Sequence, residues 1–98
     1  MRGAIYGKTI EAAKEQLNNI IYRYECCEIK PLITFNLKHC STVEFENGDK
    51  WVAIQYTGFN THGRRYNIIY IDHDISKDEQ KLIGACANLP PYTGITYF

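Results

Sequence analysis

Residues 66–72 constrain the fold more than any other part of the sequence. A run of β-branched and aromatic residues, 66–71, follows a polar loop with two arginines and stops abruptly at Asp72. Such a run predicts a buried strand. In open α/β sheets, ligand-binding groups lie at the carboxyl ends of the strands. The segment therefore predicts a sheet that carries a carboxylate at its functional edge.

Length and charge limit what the chain can be. Its 98 residues predict a single domain over residues 1–98. The 11 basic residues balance the 11 acidic ones, so no overall field favours nucleic acid or an anionic membrane. No apolar stretch reaches the roughly 18 residues of a membrane span, and the first residues lack the apolar segment of a signal peptide. We expect a cytoplasmic protein of a host cell, with no membrane partner.

The cysteine spacing argues against disulfides and zinc. The four cysteines show no CxxC spacing, which predicts free thiols in a reducing compartment. Cys26, Cys27, His39 and Cys40 form two adjacent pairs, and adjacent ligands lack the gap that lets a chain fold round one ion. Buried or idle cysteines are therefore favoured over a zinc site.

The first third of the chain predicts a strand and a helix. Residues 4–6 are short and β-compatible, Gly7 breaks the strand, and Thr9 is a good N-cap. Apolar residues then recur at helical spacing, which predicts a helix over residues 10–25. Its apolar positions are Ile10, Ala13, Leu17, Ile20, Ile21 and Tyr24.

The middle of the chain predicts two hairpin strands after a first strand over residues 32–37. Residues 42–46 alternate in polarity, and Asn47-Gly48 is typical of a type I′ turn. Pairing across that turn places Val43 opposite Val52, with Phe45 on the face of Val52. Trp51 then lies on the opposite face, where it is either exposed or covered by a second helix.

The last third predicts a second helix. Ser76 and Glu79 form a capping box for a helix over residues 77–87, whose inward face would carry Leu82, Ile83 and Cys86. Residues 92–98 form a last edge strand or a packed tail. The order β-α-β-β-β-β-α, with an optional final β, predicts an α/β or α+β domain of two or three layers.

Four apolar residues followed by Asp72 match the arrangement called Walker B. In P-loop nucleotide hydrolases an aspartate at a strand end binds Mg²⁺ beside the phosphates. The structural alternative is ordinary turn chemistry, since aspartate is common where a strand enters a turn.

Three segments in order resemble one known family. They are Gly7-Lys-Thr-Ile-Glu-Ala-Ala13, Val43-Glu-Phe-Glu-Asn-Gly-Asp49 and His62-Gly-Arg-Arg-Tyr-Asn-Ile-Ile-Tyr-Ile-Asp72. This succession resembles the middle of the ATPase domain of phage large terminase subunits, over roughly residues 4–79. The resemblance implies a phage or prophage origin and gives Asp72 the place of the Walker B aspartate.

The departures from that family argue against catalysis. The resemblance implies a general-base glutamate directly after Asp72, and His73 stands there instead. The segment from Gly3 to Thr9, with Lys8, resembles a Walker A loop but has three residues between its glycines, where the motif has four. No preceding strand presents this loop, and no room remains for the family's nuclease domain. We therefore expect a non-enzymatic remnant or mimic of an ATPase core.

Asp72, His73 and Asp74 suggest a metal site. Adjacent residues of an extended chain point to opposite sides, so only Asp72 and Asp74 would face one ion together. The alternative is a solvated acidic turn leading to the Ser76 cap. Mg²⁺ is expected only if the chain binds a nucleotide, and otherwise no cofactor is expected.

Three functional hypotheses follow. The first is a small non-catalytic phage protein that binds and modulates a larger protein, such as an anti-CRISPR inhibitor of host defence, through exposed aromatic and basic side chains. Its binding residues would be Arg64, Arg65, Trp51, His62 and Lys50. The alternative is a terminase-related nucleotide- or nucleic-acid-binding module that uses Asp72 with Arg64 or Arg65. The third is a homo-oligomeric structural protein joined through residues 92–98. The partner's identity and the oligomeric state stay open.

Overall fold

The computed structural model describes residues 1–38, 40–58, 65–87 and 94–98, without the side chains of Cys86 and Ala87. The elements follow the predicted order, including the final strand. They are β1 (Arg2–Gly7), α1 (Ile10–Cys26), β2 (Pro31–Asn36), β3 (Cys40–Phe45), β4 (Lys50–Gln55), β5 (Ile68–Ile71), α2 (Lys77–Ala87) and β6 (Gly94–Tyr97). The fifth strand begins at Ile68, two residues later than the pattern predicts.

All six strands form one mixed sheet in the order β2-β3-β4-β1-β5-β6. β1 lies between β4 and β5 and is parallel to both, and β5 is parallel to β6. β3 runs antiparallel to β2 and β4. The predicted α/β class is confirmed, with four adjacent parallel strands, β4, β1, β5 and β6, and the antiparallel strands β2 and β3 at one end of the sheet.

Helix α1 covers one face of the sheet. Thr9 caps it by accepting a hydrogen bond from the main-chain N–H of Ala12, at 3.2 Å. Its apolar stripe is buried against strand residues of β1, β3 and β4. This first core comprises Ala13, Leu17 and Ile20 with Ile5, Val43, Phe45, Trp51 and Ala53.

Helix α2 packs on the other face. Ile83 is fully buried against a second core that contains Tyr6, Ile69 and Ile71. The expectation that Leu82 faces inward is wrong, because Leu82 is 45 % exposed and Ile83 alone of the two reaches the sheet. Glu79 donates its main-chain N–H to the Ser76 hydroxyl, as the capping box predicts. Neither helix, within the described residues, has the length and apolar character that crossing a membrane requires.

The β3–β4 hairpin differs from its predicted register. Gly48 has a φ of 92° and donates its main-chain N–H to the carbonyl of Phe45, while Phe45 donates to the carbonyl of Asp49. The loop thus has three residues, with Gly48 alone in the left-handed region, rather than the two of a type I′ turn. Because the loop has one residue more than predicted, each residue of β3 pairs with the β4 residue one position earlier than predicted. Val43 therefore lies opposite Trp51 and not Val52.

This register decides where Trp51 lies. Trp51 shares the α1 face with Val43 and Phe45, and it is 4 % exposed. The two predicted alternatives, exposure or cover by the second helix, are both wrong because α1 covers this face. A Cβ added at Gly3 would lie 2.5 Å from the indole ring, so the tight packing of Trp51 requires glycine there.

Candidate functional site

The carboxyl ends of β1 and β5 form a topological switch point. After β1 the chain enters α1 on one face of the sheet, and after β5 it enters α2 on the other face. A crevice opens between two adjacent parallel strands whose connections leave in opposite directions. In open α/β sheets this crevice is where ligands bind.

Asp72 lies in this crevice. It follows β5 directly and is 4 % exposed. Its main-chain N–H donates to the carbonyl of Tyr6 at 2.9 Å, which ties it to the end of β1. Its carboxylate Oδ2 accepts the main-chain N–H of Lys8 at 3.0 Å. The predicted position of Asp72 at the sheet edge is confirmed.

A tight turn follows Asp72. Asp74 donates its main-chain N–H to Asp72 Oδ1 at 3.0 Å, and Ile75 donates to the Asp72 carbonyl at 3.1 Å. The chain is therefore not extended here, and the argument that His73 must point away from its neighbours is wrong. One ligand atom from each of Asp72, His73 and Asp74 lies within 4.8 Å of the others.

The His73 ring contacts oxygen atoms through both of its nitrogens. Nδ1 lies against the main-chain oxygen of Phe98, and Nε2 lies 3.2 Å from Asp74 Oδ1. The hydrogen bond to Phe98 and the charges of Asp74 and Asp72 raise the pKa of His73, while partial desolvation opposes them. Because a protonated imidazole can donate from both nitrogens, this geometry favours the imidazolium form.

Open grooves flank the turn on both faces of the sheet. A groove of about 350 Å³ runs between the turn and the polar residues Glu15, Gln16 and Asn19 of α1. A second groove of about 420 Å³ lies on the α2 side, where Lys8 and Glu79 line it. Both have the size of small-molecule sites, and Asp74 lines both of them.

The donor set fits a hard divalent cation. Mg²⁺ prefers oxygen ligands and is commonly bound through one or two carboxylates that leave waters or phosphates in the other positions. Asp72 and Asp74 supply two carboxylates, and each oxygen that accepts one hydrogen bond retains a second lone pair. His73 is turned to Phe98 and Asp74. Asp72 and Asp74 are therefore the residues that would bind the ion.

No protein-family model, curated protein or solved structure matches this chain. The functional argument therefore depends on the geometry of the chain itself.

The other predicted binding residues lie away from Asp72. Lys50 begins β4 opposite Arg2 of β1, and Arg65 precedes β5, so these three basic residues lie at the amino ends of the parallel strands. Asp72 lies at the carboxyl end, and the sheet separates it from Arg65. The structure does not bring Arg65 to Asp72. His62 and Arg64 lie outside the described residues.

Two contacts at the carboxyl edge could not be predicted from the sequence. Lys8 meets Asp72 through its main chain rather than its side chain, and Phe98 meets His73 through a main-chain oxygen. Main-chain groups leave no residue-type signal. The predicted free thiols are confirmed for Cys26, Cys27 and Cys40, and Asp72–Asp74 is the one metal-type cluster within the described ranges.

A polar network at the opposite end of α1 is structural. The Tyr24 hydroxyl donates to Asp49 Oδ2 at 2.7 Å and accepts from Trp51 Nε1 at 3.0 Å. Burial and the hydrogen bond to Asp49 raise the pKa of Tyr24 to about 12. Burial opposes the change at Asp49, but hydrogen bonds from Tyr24, the amino terminus and Asn47 lower the pKa of its carboxyl group. The network joins α1 to the β3–β4 hairpin.

Proposed function

We propose that this chain is a non-catalytic binding domain whose ligand is a phosphate group together with a divalent cation. Asp72 and Asp74 bind the cation at the β1–β5 crevice. The observation that carries the proposal is the position of Asp72 at the switch point, anchored by the N–H of Lys8. A carboxylate at this position is buried at the edge where α/β sheets bind their ligands.

The surroundings of the cation suit an anionic group. α1 begins at Ile10, two residues after Lys8, whose N–H binds Asp72, and the positive end of the helix dipole favours a phosphate there. Lys8 adds a basic side chain to the groove on the α2 side. A phosphate would therefore complete the coordination of the ion and also contact positive groups of the protein.

The same site supports binding without hydrolysis. An ATPase needs a group that orients or deprotonates the attacking water. His73 follows Asp72, and its nitrogens are engaged by Phe98 and Asp74. Gly3 and Gly7 both belong to β1, so the segment that resembles a Walker A loop is a strand and cannot enclose phosphates. The proposal accords with the resemblance to a terminase ATPase core that lacks its catalytic loop.

Thermal unfolding tests the proposal directly. ATP and Mg²⁺ together should raise the Tm, because a ligand at about 100 times its Kd stabilises a protein by about 2.7 kcal/mol, or roughly 10–20 °C for a domain of this size. ATP without Mg²⁺ should give a much smaller shift. The variant Asp74→Asn should lose the Mg²⁺-dependent part, and Glu25→Gln, at the far end of α1, should keep it. A Tm that is unchanged by ATP and Mg²⁺, or a Tm shift in Asp74→Asn equal to that of the wild type, would refute the proposal.

A second candidate function is docking on a larger protein. The observation that favours it is the pairing of Arg2 with Lys50 at the amino ends of β1 and β4, with Arg65 shortly before the amino end of β5, on a chain without net charge. Such a basic cluster suits an acidic protein surface. The double variant Lys50→Glu/Arg65→Glu would abolish that binding, whereas Asp74→Asn would leave it unchanged. Inhibition of a host-defence enzyme belongs to this candidate.

A further inference from the structure

Strand β2 is an exposed edge of the sheet without charged residues. It forms one end of the sheet, and all six of its residues are exposed. None of residues 31–36 is charged. Exposed edges are normally protected by charges, prolines or bulges. Pro31 and a bulge between Pro31 and Ile33 protect the start of β2, whereas the stretch from Ile33 to Asn36 has no such protection.

The same strand carries an apolar surface. Ile33, Phe35 and Leu37 are 46 %, 62 % and 62 % exposed, and they line one groove of about 340 Å³ together with Val52 and Tyr66. This groove lies on the face opposite α1, because Phe35 pairs with Thr42 and not with a residue of the α1 core. An apolar face beside an unpaired edge indicates an interaction surface.

The main chain of β2 has hydrogen-bonding groups that point outward and could pair with another strand. Leu37 donates its N–H to the carbonyl of Cys40 at 2.8 Å, so the main-chain N–H and C=O groups of Leu37 point towards β3. Because these groups alternate in direction along an antiparallel strand, those of Phe35 also point towards β3, whereas those of Thr34 and Asn36 point away from the sheet. Two donors and two acceptors therefore point away from the sheet on this stretch.

We propose that two copies of this chain associate through β2, in antiparallel pairing across a twofold axis. Antiparallel pairs alternate between two hydrogen-bonding types, so the axis must pass through a residue paired with its own counterpart. With Phe35 opposite Phe35 of the second copy, Thr34 exchanges hydrogen bonds with Asn36 of that copy. Ile33 then lies opposite Leu37 on the same apolar face.

The uncharged, self-complementary stretch from Ile33 to Leu37 favours a second copy as the occupant. None of its residues is charged, so in this register no like charges lie opposite each other. Each copy contributes three large exposed apolar side chains, those of Ile33, Phe35 and Leu37. At on the order of 100 Å² each, the six side chains bury roughly 600 Å², which with the paired main chains is the size of a weak, concentration-dependent dimer.

This edge differs from the one that the sequence suggested for an oligomer. The sequence pointed to residues 92–98, of which β6 is a described edge strand with four residues. β2 is longer, and its apolar side chains are more exposed. The proposed dimer leaves the Asp72 crevice open, so it neither requires nor excludes ligand binding there.

Light scattering after gel filtration tests the dimer. The wild type should have about twice the 11.4 kDa mass of one chain. Phe35→Lys places two like charges opposite each other on the axis and should give a monomer with unchanged secondary structure, because Phe35 is exposed. Tyr22→Lys changes a 67 % exposed aromatic residue on α1 and should stay dimeric.

Amide hydrogen exchange gives a second readout. In the wild type the amides of Thr34 and Asn36 should be protected, and Phe35→Lys should accelerate their exchange at least tenfold without affecting β1. A wild type that is monomeric at every concentration would overturn the proposal. Fast exchange at Thr34 and Asn36 in a dimer, or a dimer that survives Phe35→Lys, would place the interface elsewhere and overturn it equally.

Discussion

Asp72 has two roles that can be separated at the level of the residue. Its carboxylate accepts main-chain N–H groups from Lys8 and Asp74, so it fixes the turn after β5. The same carboxylate, with that of Asp74, forms the proposed cation site. Asp74 is 64 % exposed at its side chain, and within the described part of the chain its carboxylate forms an ion pair with His73 only. Asp74 can therefore be changed to test binding without disturbing the turn.

Asp72→Asn should destabilise the fold by about 1–2 kcal/mol. Asparagine keeps one acceptor oxygen, but its NH₂ group would face one of the two N–H donors and leave that donor unsatisfied. Asp74→Asn should change stability by less than about 0.5 kcal/mol, as exposed substitutions usually do. Urea unfolding of both variants measures the difference. Equal stability of Asp72→Asn and the wild type would show that the two hydrogen bonds do not hold the turn.

His73 should titrate above its usual range. The hydrogen bond to Phe98, followed by the charges of Asp74 and Asp72, raises its pKa in the folded state above 6.5. A raised pKa means that the folded state binds the proton more tightly than the unfolded state. The stabilising contribution is thus full below pH 6.5 and is lost as the pH rises through the folded-state pKa.

An NMR titration of the His73 ring protons checks this pKa. Asp74→Asn should lower the pKa towards 6.5, because it removes the nearer carboxylate charge. A wild-type pKa at or below 6.5, or no change in Asp74→Asn, would contradict the described geometry of the ring.

At the scale of elements, local patterns were sufficient to predict most of the structure. The N-cap at Thr9, the helical spacing from Ile10 and the Ser76–Glu79 box act within one or two helical turns, so their elements appear where predicted. The β3–β4 register could not be predicted. Asn47-Gly48 fits both a two-residue and a three-residue loop. One extra loop residue places every side chain of the following strand on the opposite face of the sheet. This change of face is why Trp51 lies under α1.

The contact between α1 and the hairpin gives a prediction at this scale. Tyr24 stacks on Phe45 with ring centroids 3.8 Å apart, and its hydroxyl bonds Asp49. Tyr24→Phe keeps the ring and should cost about 1–2 kcal/mol, because a hydrogen bond to a charged group is lost. Chemical denaturation at neutral pH measures this cost.

The same variant predicts a change in pH dependence. Burial and the hydrogen bond to Asp49 raise the pKa of Tyr24 from the ordinary tyrosine value of 10.0 to about 12 in the folded state. Because the unfolded state releases this proton at the lower pH, Tyr24 destabilises the fold as the pH rises from 10 towards 12. Tyr24→Phe should unfold less steeply with pH over that window. An identical slope in both proteins would show that Tyr24 is not buried against Asp49.

At the scale of the whole molecule, the sheet separates three surfaces. The carboxyl edge carries Asp72 and Asp74, the amino edge carries Arg2 and Lys50, and β2 presents an uncharged apolar edge. The sequence indicated the first, because a strand that ends on an aspartate is a local pattern. It did not predict that Arg65 would lie at the other end of the sheet from Asp72, since the direction of a strand is set by its pairing partners.

The most direct test of the account is a map of Mn²⁺ binding by NMR. Mn²⁺ replaces Mg²⁺ at oxygen sites and broadens nearby amide signals. In the presence of ATP, substoichiometric Mn²⁺ should broaden the amides of Lys8, His73 and Phe98 first and should spare those around Asp49 at the opposite end of α1. The pattern should disappear in Asp74→Asn. Broadening that is centred on other acidic residues, or that is unchanged in Asp74→Asn, would contradict a cation and phosphate site at the β1–β5 switch point.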